Sequence, residues 1–407
     1  MSLPADFDIP PEFQDQLEPT RPLDPRTNEE IVQALTTFKR PVTSEKNIWA
    51  FWDRGFHAMP GWCQRNVIDW HRICDPSWSI RVLDLVPGSP NNVLKYLTPE
   101  LLPKAMVDGL MDGPYSGQHS ADFVRSAALI LHGGVFMDVG IILTRSLDRI
   151  CWSKLEDPSS PFQICVPLMY GTNIANHFVA SRRADPFITR WHQLFLHVWE
   201  TRSTMTGSPN TNYEGMCYNP LFAFAGELDY SAVAEKGYNW DWDVEPLRVL
   251  DYITQVIAWV RLTLLEDAGD GFSGVDYARN NILWTDVLSE NWGFEKEIGF
   301  VGQDLYDLLA TRRDTDPNSE EYKKAHKLVW HFLSQCSMHK ITHSKNLLKK
   351  PALGVLWDAN AGKDIEPGTF AELLRYGTVY FRQTREEIRF VEPEIPEQTM
   401  QKGVFEP

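Results

Sequence analysis

The sequence contains no apolar run long enough to span a bilayer, so no membrane partner is expected. Its first residues, MSLPADFDIPPEFQDQLEP, lack the basic start and the apolar core of a secretory signal. The six cysteines include no close pair of the Cys-x-x-Cys kind, which excludes the metal sites built on that motif. These absences together predict a cytoplasmic protein with reduced thiols.

Positive charge is also scarce, with 39 lysines and arginines against 55 aspartates and glutamates. The resulting net charge of −16 argues against general nucleic-acid binding, and no DNA partner is expected. One stretch differs, because residues 322–350 hold seven lysines and four histidines with no acidic residue. It is either a surface that faces phosphate or a solvated helix face that balances acidic neighbours. Lys340 and Lys345 in this stretch are predicted to bind substrate.

The composition is that of a globular chain, with 43% hydrophobic and 23% charged residues over a length of 407. Prolines are frequent near the start, which indicates a flexible tail over residues 1–27. We predict a catalytic domain over residues 28–350. Residues 351–407 are predicted to form a C-terminal helix and an acidic tail.

Strand and helix patterns alternate in the first part of the chain. An apolar strand over residues 47–52 is followed by a helix up to residue 73 and by a second strand over residues 78–83. This order is a βαβ unit, which implies two parallel strands. The sequence therefore predicts an α/β fold with a Rossmann-like, mostly parallel sheet flanked by helices. Helical patterns over residues 248–265, 273–288, 320–334 and 364–382 predict further helices, with helical additions at the C-terminus.

The most informative stretch is residues 118–148, QHSADFVRSAALILHGGVFMDVGIILTRSLD. An amphipathic helix pattern ends at Gly133-Gly134, because glycine adopts the backbone that a helix C-terminus commonly needs. A short apolar strand, residues 135–137, then runs into Asp138. A carboxylate at the carboxyl end of a buried strand lies where α/β folds bind ligands. A core strand followed by a chance aspartate explains the pattern equally well.

Three segments, NIWAFWDRGFHAMPGW, SADFVRSAALILHGGVFMDVG and MHKITHSKNL, resemble enzymes of the glycosyltransferase-A fold. The similarity is to the capsular-polysaccharide-synthesis and sugar-transferring families with a Gly-Gly-strand-Asp-x-Asp motif, and it extends over about residues 47–348. In these families the resemblance implies that the helix with Asp122 and Arg125 lies beside the nucleotide. It also implies that the Asp-x-Asp pair holds a divalent metal, which neutralises the diphosphate.

This chain departs from that motif, because it has Asp138-Val139-Gly140 where the family has Asp-x-Asp. A Mg²⁺ or Mn²⁺ site needs several oxygen ligands and usually more than one carboxylate. Asp138 is the metal ligand that remains if the protein is a metal-dependent glycosyltransferase using a nucleotide sugar. No cofactor is predicted unless the protein is such a glycosyltransferase.

The Asp-Val-Gly variant, with ILTRSLDRICW after it, also resembles fungal arginine-containing cyclodipeptide synthases. That resemblance implies condensation of arginyl-tRNA with a second aminoacyl-tRNA to a cyclo(Arg-Xaa) diketopiperazine. The basic stretch would then contact tRNA phosphates. We take this function as the first hypothesis and the glycosyltransferase as the alternative. A non-catalytic relic that binds a partner is the third hypothesis, because the second carboxylate is missing.

Acyl transfer from aminoacyl-tRNA needs a base, a donor for the oxyanion and a pocket for each side chain. A guanidinium pocket should offer a carboxylate, for which the candidates are Asp138, Asp122 and Glu214. The predicted catalytic residues are Asp138, Asp122 and His343, and the predicted substrate-binding residues are Arg125, Gly133, Gly134, His177, Tyr213, Glu214, Lys340 and Lys345. Structural roles remain open for some of them: Asp122 suits a helix N-terminus, and Arg125 could pair with it one turn away.

Overall fold

The computed structural model describes residues 7–37, 41–205, 219–227, 232–244, 246–342, 347–396 and 399–407. The strands are β1 (Leu17–Pro19), β2 (Asn47–Phe51), β3 (Ser79–Leu83), β4 (Gly134–Met137), β5 (Ile141–Leu143), β6 (Ile164–Met169), β7 (Asn173–Ile174), β8 (Phe178–Ser181), β9 (Ile282–Asp286), β10 (Met338–Lys340) and β11 (Phe381–Gln383).

The α-helices are α1 (Asn28–Thr37), α2 (Gly61–Ile73), α3 (Lys104–Val107), α4 (Ser116–His132), α5 (Ser153–Glu156), α6 (Pro186–Trp199), α7 (Pro246–Tyr252), α8 (Thr254–Thr263), α9 (Gly274–Asn280), α10 (Val287–Glu290), α11 (Gly293–Ile298), α12 (Gly302–Ala310), α13 (Glu320–Gln335), α14 (Leu353–Ala359) and α15 (Phe370–Tyr380). No helix in the described ranges combines the length and the apolar character needed to cross a membrane.

The largest sheet in the described residues has seven strands, in the order β3-β2-β4-β8-β6-β7, with β9 also paired to β6. Strand β2 runs parallel to β3 and to β4, and β6 runs parallel to β9. Strand β8 pairs antiparallel with β4 and β6, and β7 pairs antiparallel with β6. The predicted α/β fold, a mostly parallel sheet flanked by helices, is confirmed.

Side chains alternate between the two faces of this sheet, as the pleat of a β-strand requires. In β2, Ile48 and Ala50 join one apolar core, which includes α2 and α15. Trp49 and Phe51 join the other core, which includes α4 and α6. Both faces are therefore covered by helices, and all five residues of β2 are buried. This explains why the strand reads as a continuous apolar run.

Two glycines form the junction between α4 and β4. Gly133 caps the helix with a φ of +66°, and its carbonyl oxygen accepts a hydrogen bond of 2.9 Å from the indole of Trp49. Gly134 has a φ of +107°, and a Cβ atom there would lie 2.4 Å from the carbonyl oxygen of Asn47. Glycine is needed at this junction because the backbones of β2 and β4 approach closely. The junction sets the register that brings Asp138 to the carboxyl end of β4.

One predicted helix is wrong. The pattern over residues 273–288 predicts a single helix, whereas the structure has the short α9 followed by strand β9. Strand β9 pairs along its whole length with β6, with Ile282 opposite Ile164. The pairing with a central strand outweighs the local helical preference, a non-local effect that the sequence pattern does not contain.

The three-part domain division stays a prediction, although one observation argues against a loose first segment. Strand β1 pairs antiparallel with β11, and the buried Leu17 lies opposite Gln383. Phe370 of α15 is part of the same apolar core as the central strands. The described residues of both terminal segments therefore pack against the body of the fold.

Candidate active site

Asp138 follows β4 directly and is held at the edge of the sheet. Its backbone N–H donates to the carbonyl oxygen of His177 at 3.0 Å. Its Oδ2 accepts a hydrogen bond of 2.6 Å from Nζ of Lys340, and its Oδ1 lies 3.3 Å from Nη2 of Arg125. About a quarter of the side chain, 26%, is exposed to solvent. The carboxylate thus faces a cavity with a cation on each oxygen.

The two cations determine the charge state of Asp138. Burial by itself raises the pKa of this carboxyl. The positive charges of Lys340 and Arg125, together with the hydrogen bond from Lys340, outweigh burial, so that the pKa lies below its ordinary value. Asp138 is therefore an anion at neutral pH.

Arg125 is fixed by a buried polar network. It donates to the carboxylate of Asp122 and to Oε1 of Gln255, and its guanidinium lies 4.6 Å from the ring centroid of Phe136. Asn176 donates to the same carboxylate at 3.2 Å and to Oε1 of Gln255 at 3.1 Å. Burial raises the pKa of Asp122 to about 6, against the lowering effect of Arg125. The network holds the guanidinium in place beside Asp138.

Lys340 reaches Asp138 because β10 pairs antiparallel with β5, which begins three residues after Asp138. Lys340 lies opposite Ile141, and the N–H of Ile341 donates to the carbonyl oxygen of Gly140 at 2.9 Å. The Asp-Val-Gly segment therefore leads directly into the strand that pairs with the strand of the lysine. Their spacing is fixed by backbone hydrogen bonds as well as by the ion pair.

Two adjoining cavities meet at Asp138 and Lys340. The larger has a volume of about 280 Å³ and is lined by Asp122, Arg125 and the aromatic side chains Phe51, Trp52 and Trp62. The smaller, of about 100 Å³, is lined mainly by aromatic and apolar side chains, with Tyr170, Trp240, Trp242 and Trp292 among them. Both also contact Asn176, Tyr252 and Thr342. Ligands in either cavity can therefore contact the same two charged groups, Asp138 and Lys340.

His177 lines the smaller cavity as a neutral imidazole. Burial lowers the pKa of His177 to about 3, and the positive charge of Lys340 contributes in the same direction. Its Nε2 is buried and has no hydrogen-bond partner among the described residues. The ring lies 5.7 Å from that of Trp292. A ligand in this cavity could therefore hydrogen-bond to the free ring nitrogen.

The residues present do not fit a divalent metal of the Asp-x-Asp kind. Both oxygens of Asp138 already face cations, and position 140 has no side chain. In the ranges that the structure describes, no group of three or more histidine, cysteine, aspartate or glutamate side chains is arranged to hold a metal ion. Mg²⁺ and Mn²⁺ sites usually require several oxygen ligands.

The structure brings together Asp138, Asp122, Arg125, His177 and Lys340, but it does not bring every predicted residue to the cavities. Gly133 and Gly134 lie at the opposite end of β4 from Asp138, approach backbone atoms and line neither of the two cavities, so their role in substrate binding stays a prediction. Tyr213, Glu214, His343 and Lys345 lie outside the described residues.

The described residues of the basic stretch, 322–342 and 347–350, do not form one phosphate-facing surface. Helix α13 buries one side in the core, and Lys327 on its exposed side pairs with Glu297. His339 is fully buried, with Nε2 3.4 Å from a carboxylate oxygen of Glu295. Lys340 alone among its described lysines lines the cavity. Among its described lysines, Lys323, Lys327 and Lys349 form ion pairs with nearby carboxylates, and Lys340 is a site residue.

Sequence reasoning missed Gln255, Asn176, Tyr252 and Thr342. Gln255 offered one signal, because it is a polar residue in the apolar helix sequence TQVIAWV. It is 1% exposed, and its side chain joins the Arg125 network. A buried glutamine needs hydrogen-bond partners, so its position in an apolar helix indicated a polar site nearby.

Comparisons with known proteins support sugar chemistry. A family described as "Capsular polysaccharide synthesis protein" matches residues 9–207. The chain is 50% identical over 402 residues to "Probable glycosyltransferase FCK3" of Fusarium pseudograminearum (strain CS3096), covering 98% of this chain and 99% of that one. It is 36% identical to "O-glycosyltransferase braB" of Annulohypoxylon truncatum, covering 98% and 94%. It is 35% identical to "O-glycosyltransferase PaGT" of Phomopsis amygdali, covering 92% and 91%.

Among solved structures, "PaToxG Glycosyltransferase" aligns with 42% of this chain and 67% of its own, at 17% identity and a TM-score of 0.28. That similarity is too low to support an argument about function.

The relatives overturn the first hypothesis. Proteins that match nearly the whole length of the chain are named glycosyltransferases, so the predictions of a cyclodipeptide synthase and of aminoacyl-tRNA partners are wrong. Gly140 explains the error, because loss of the second carboxylate is compatible with different chemistry as well as with sugar transfer. The alternative hypothesis is the one that the relatives support. With half of its residues shared with one relative over almost the entire chain, the protein belongs to this family of fungal glycosyltransferases.

Proposed function

We propose that the protein transfers a sugar from a nucleoside diphosphate sugar to a hydroxyl group of an aromatic or apolar small molecule. The single observation that carries the proposal is the position of Asp138, an anion at the junction of two cavities with Lys340 and Arg125 beside it. Two relatives carry the name O-glycosyltransferase, which supports an oxygen acceptor. A cytoplasmic location stays a prediction.

The larger cavity suits the donor. Aromatic side chains such as Trp52 and Trp62 offer faces on which a nucleobase can stack. Lys340 and Arg125 provide the positive charge that a diphosphate requires. The carboxylate of Asp122 could accept a hydrogen bond from a sugar hydroxyl. Base, diphosphate and sugar thus each find groups of suitable chemistry in one cavity.

The smaller cavity suits the acceptor. Its aromatic lining, including Trp240 and Trp292, favours a flat or apolar molecule. The neutral Nε2 of His177 can accept a hydrogen bond from a second polar group of the acceptor, which orients the molecule while its reacting hydroxyl faces Asp138. Asp138 lies at the boundary, within reach of both compartments. The acceptor oxygen would therefore meet the sugar beside Asp138.

The reaction can be written with these groups. The bond between the sugar C1 and the diphosphate oxygen breaks, and its electron pair goes to the leaving nucleoside diphosphate. The acceptor oxygen bonds to C1, and we assign its proton to the carboxylate of Asp138. Arg125 stabilises the charge that develops on the leaving group.

The test is incubation of the purified protein with UDP- and GDP-linked sugars and a set of hydroxylated aromatic acceptors. Mass spectrometry should find an acceptor that gains one sugar residue. Asp138→Asn should reduce this transfer by about 10²- to 10⁴-fold, the usual contribution of a general base. The matched control is Asp304→Asn, at an exposed aspartate of α12, which should retain full activity. Absence of both transfer and donor hydrolysis with every donor would overturn the proposal and favour a non-catalytic protein.

A further inference from the structure

We propose that the Lys340 ammonium replaces the divalent metal at the diphosphate site, so that the protein binds its donor without a metal ion. This inference rests on the proposed function and concerns the same cavity. Asp-x-Asp sites hold a cation with two carboxylates. In this chain the first carboxylate, Asp138, holds the cation of a side chain, with Lys340 Nζ 2.6 Å from its Oδ2.

The missing carboxylate at position 140 and the presence of Lys340 are spatially linked. A Cβ atom at Gly140 would lie 3.4 Å from Nζ of Lys340 and 2.8 Å from Oγ1 of Thr342. An aspartate at this position would therefore have to share the space that the ammonium and the threonine hydroxyl occupy. The absence of a side chain at position 140 therefore leaves the space that the Lys340 ammonium occupies.

The lysine is preorganised for this role. Its backbone belongs to β10, whose pairing with β5 fixes its position relative to Asp138. Only 12% of its side chain is exposed, and the lysine lines both cavities. A cation held this way loses little freedom when a diphosphate binds. It can contact a phosphate oxygen while Asp138 remains its counter-ion.

The charge balance of the site also favours diphosphate binding without a metal ion. Lys340 and Arg125 offset Asp138 and Asp122, so the ligand-free site is close to neutral. A divalent ion at Asp138 would lie against the Lys340 ammonium and be repelled by it. A diphosphate instead adds negative charge beside two cations, which is favourable without a metal.

The experiment measures binding of UDP, GDP and inorganic pyrophosphate by calorimetry, once in EDTA and once in Mn²⁺. At least one of the nucleotides should bind equally well under both conditions. Lys340→Met should weaken that binding by about 10- to 100-fold, as expected for loss of a charge-assisted hydrogen bond. Lys327→Met, the same substitution at an exposed lysine of α13, is the matched control and should change nothing. Thermal unfolding of both variants shows whether they fold.

A double variant tests the link between the two positions. Lys340→Ala with Gly140→Asp restores an Asp-x-Asp motif and removes the ammonium, so its nucleotide binding should require Mn²⁺. Wild-type binding that is lost in EDTA and restored by Mn²⁺ would overturn the inference and leave the proposed function intact. If no nucleotide or pyrophosphate binds under either condition, the inference and the proposed function both fail.

Discussion

Gln255 holds the main chain of Asp122: its Nε2 donates to the Asp122 carbonyl oxygen at 2.5 Å, although the two residues are 133 positions apart. The other end of the amide accepts hydrogen bonds from Arg125 and Asn176. One side chain of α8 therefore links the backbone of α4 to the guanidinium beside Asp138. The position of the Arg125 guanidinium thus depends on packing between these two helices.

Gln255→Leu should destabilise the fold and weaken donor binding. The substitution removes the amide oxygen that accepts from Arg125 and Asn176 in a buried network, at a cost of about 1 to 3 kcal/mol. It also removes one donor to the Asp122 carbonyl, which still accepts from the Ser126 hydroxyl. Urea unfolding measures the stability, and UDP or GDP titration measures the binding. Gln303→Leu, at an exposed position of α12, should change the stability by less than about 0.5 kcal/mol. Equal effects of the two substitutions would contradict the proposed role of the buried amide.

Asp122 should make stability fall as the pH rises from about 4 to about 6. Its pKa is raised to about 6 by burial, so the folded state retains the proton over a range in which the unfolded chain loses it. Its contribution to stability is therefore complete below the unfolded pKa of about 4 and is lost as the pH rises through 6.

The measurement compares wild type with Asp122→Asn, which lacks this titration. The free energy of unfolding of wild type relative to the variant should decrease by about 1 to 3 kcal/mol over this range and stay constant above about pH 7. A difference that increases with pH would mean that the Arg125 charge outweighs burial and holds the pKa of Asp122 low.

The sequence predicted the helix, the glycine pair and the strand that precede Asp138, because that information is local. The helix pattern, Gly133-Gly134 and the apolar strand all lie within twenty residues of the aspartate. Lys340 was identified as a substrate-binding residue, but its partner, 202 positions away, follows only from the pairing of β10 with β5. Gln255 could not be assigned for the same reason, since its role depends on how α8 packs on α4.

The function was predicted wrongly because the prediction depended on a single residue, Gly140. Gly140 indicates that the metal motif is altered, but the sequence does not show which group stands in that space. Thr342 and Lys340 meet position 140 only in the folded chain. The same glycine is compatible with loss of activity, with different chemistry or with a lysine in place of a metal ligand.

Gly134→Ala should reduce stability without changing donor affinity. A methyl group at this position would lie 2.4 Å from the carbonyl oxygen of Asn47, and φ is +107°. We expect a loss of about 2 to 4 kcal/mol in the free energy of unfolding. The control is Gly109→Ala, where φ is also positive but no atom lies within 4 Å of the new methyl group, and the loss should be about 1 kcal/mol. Weaker UDP or GDP binding by folded Gly134→Ala would instead support a role in binding.

His177→Gln should reduce sugar transfer to the acceptor by about tenfold, because a polar group of the acceptor other than the reacting hydroxyl loses a well-placed hydrogen-bond partner. Donor hydrolysis should be unaffected, since His177 lines only the smaller cavity. His119→Gln is the matched control: burial lowers the pKa of His119 to about 3 as well, and its Nε2 also has no partner among the described side chains, yet it lines neither cavity.

Because the pKa of His177 is about 3, the wild-type rate should show no histidine titration from about pH 5 to 8. Equal losses of transfer in the two variants, or a rate that follows a histidine pKa near 6.5, would contradict the assignment of the acceptor site.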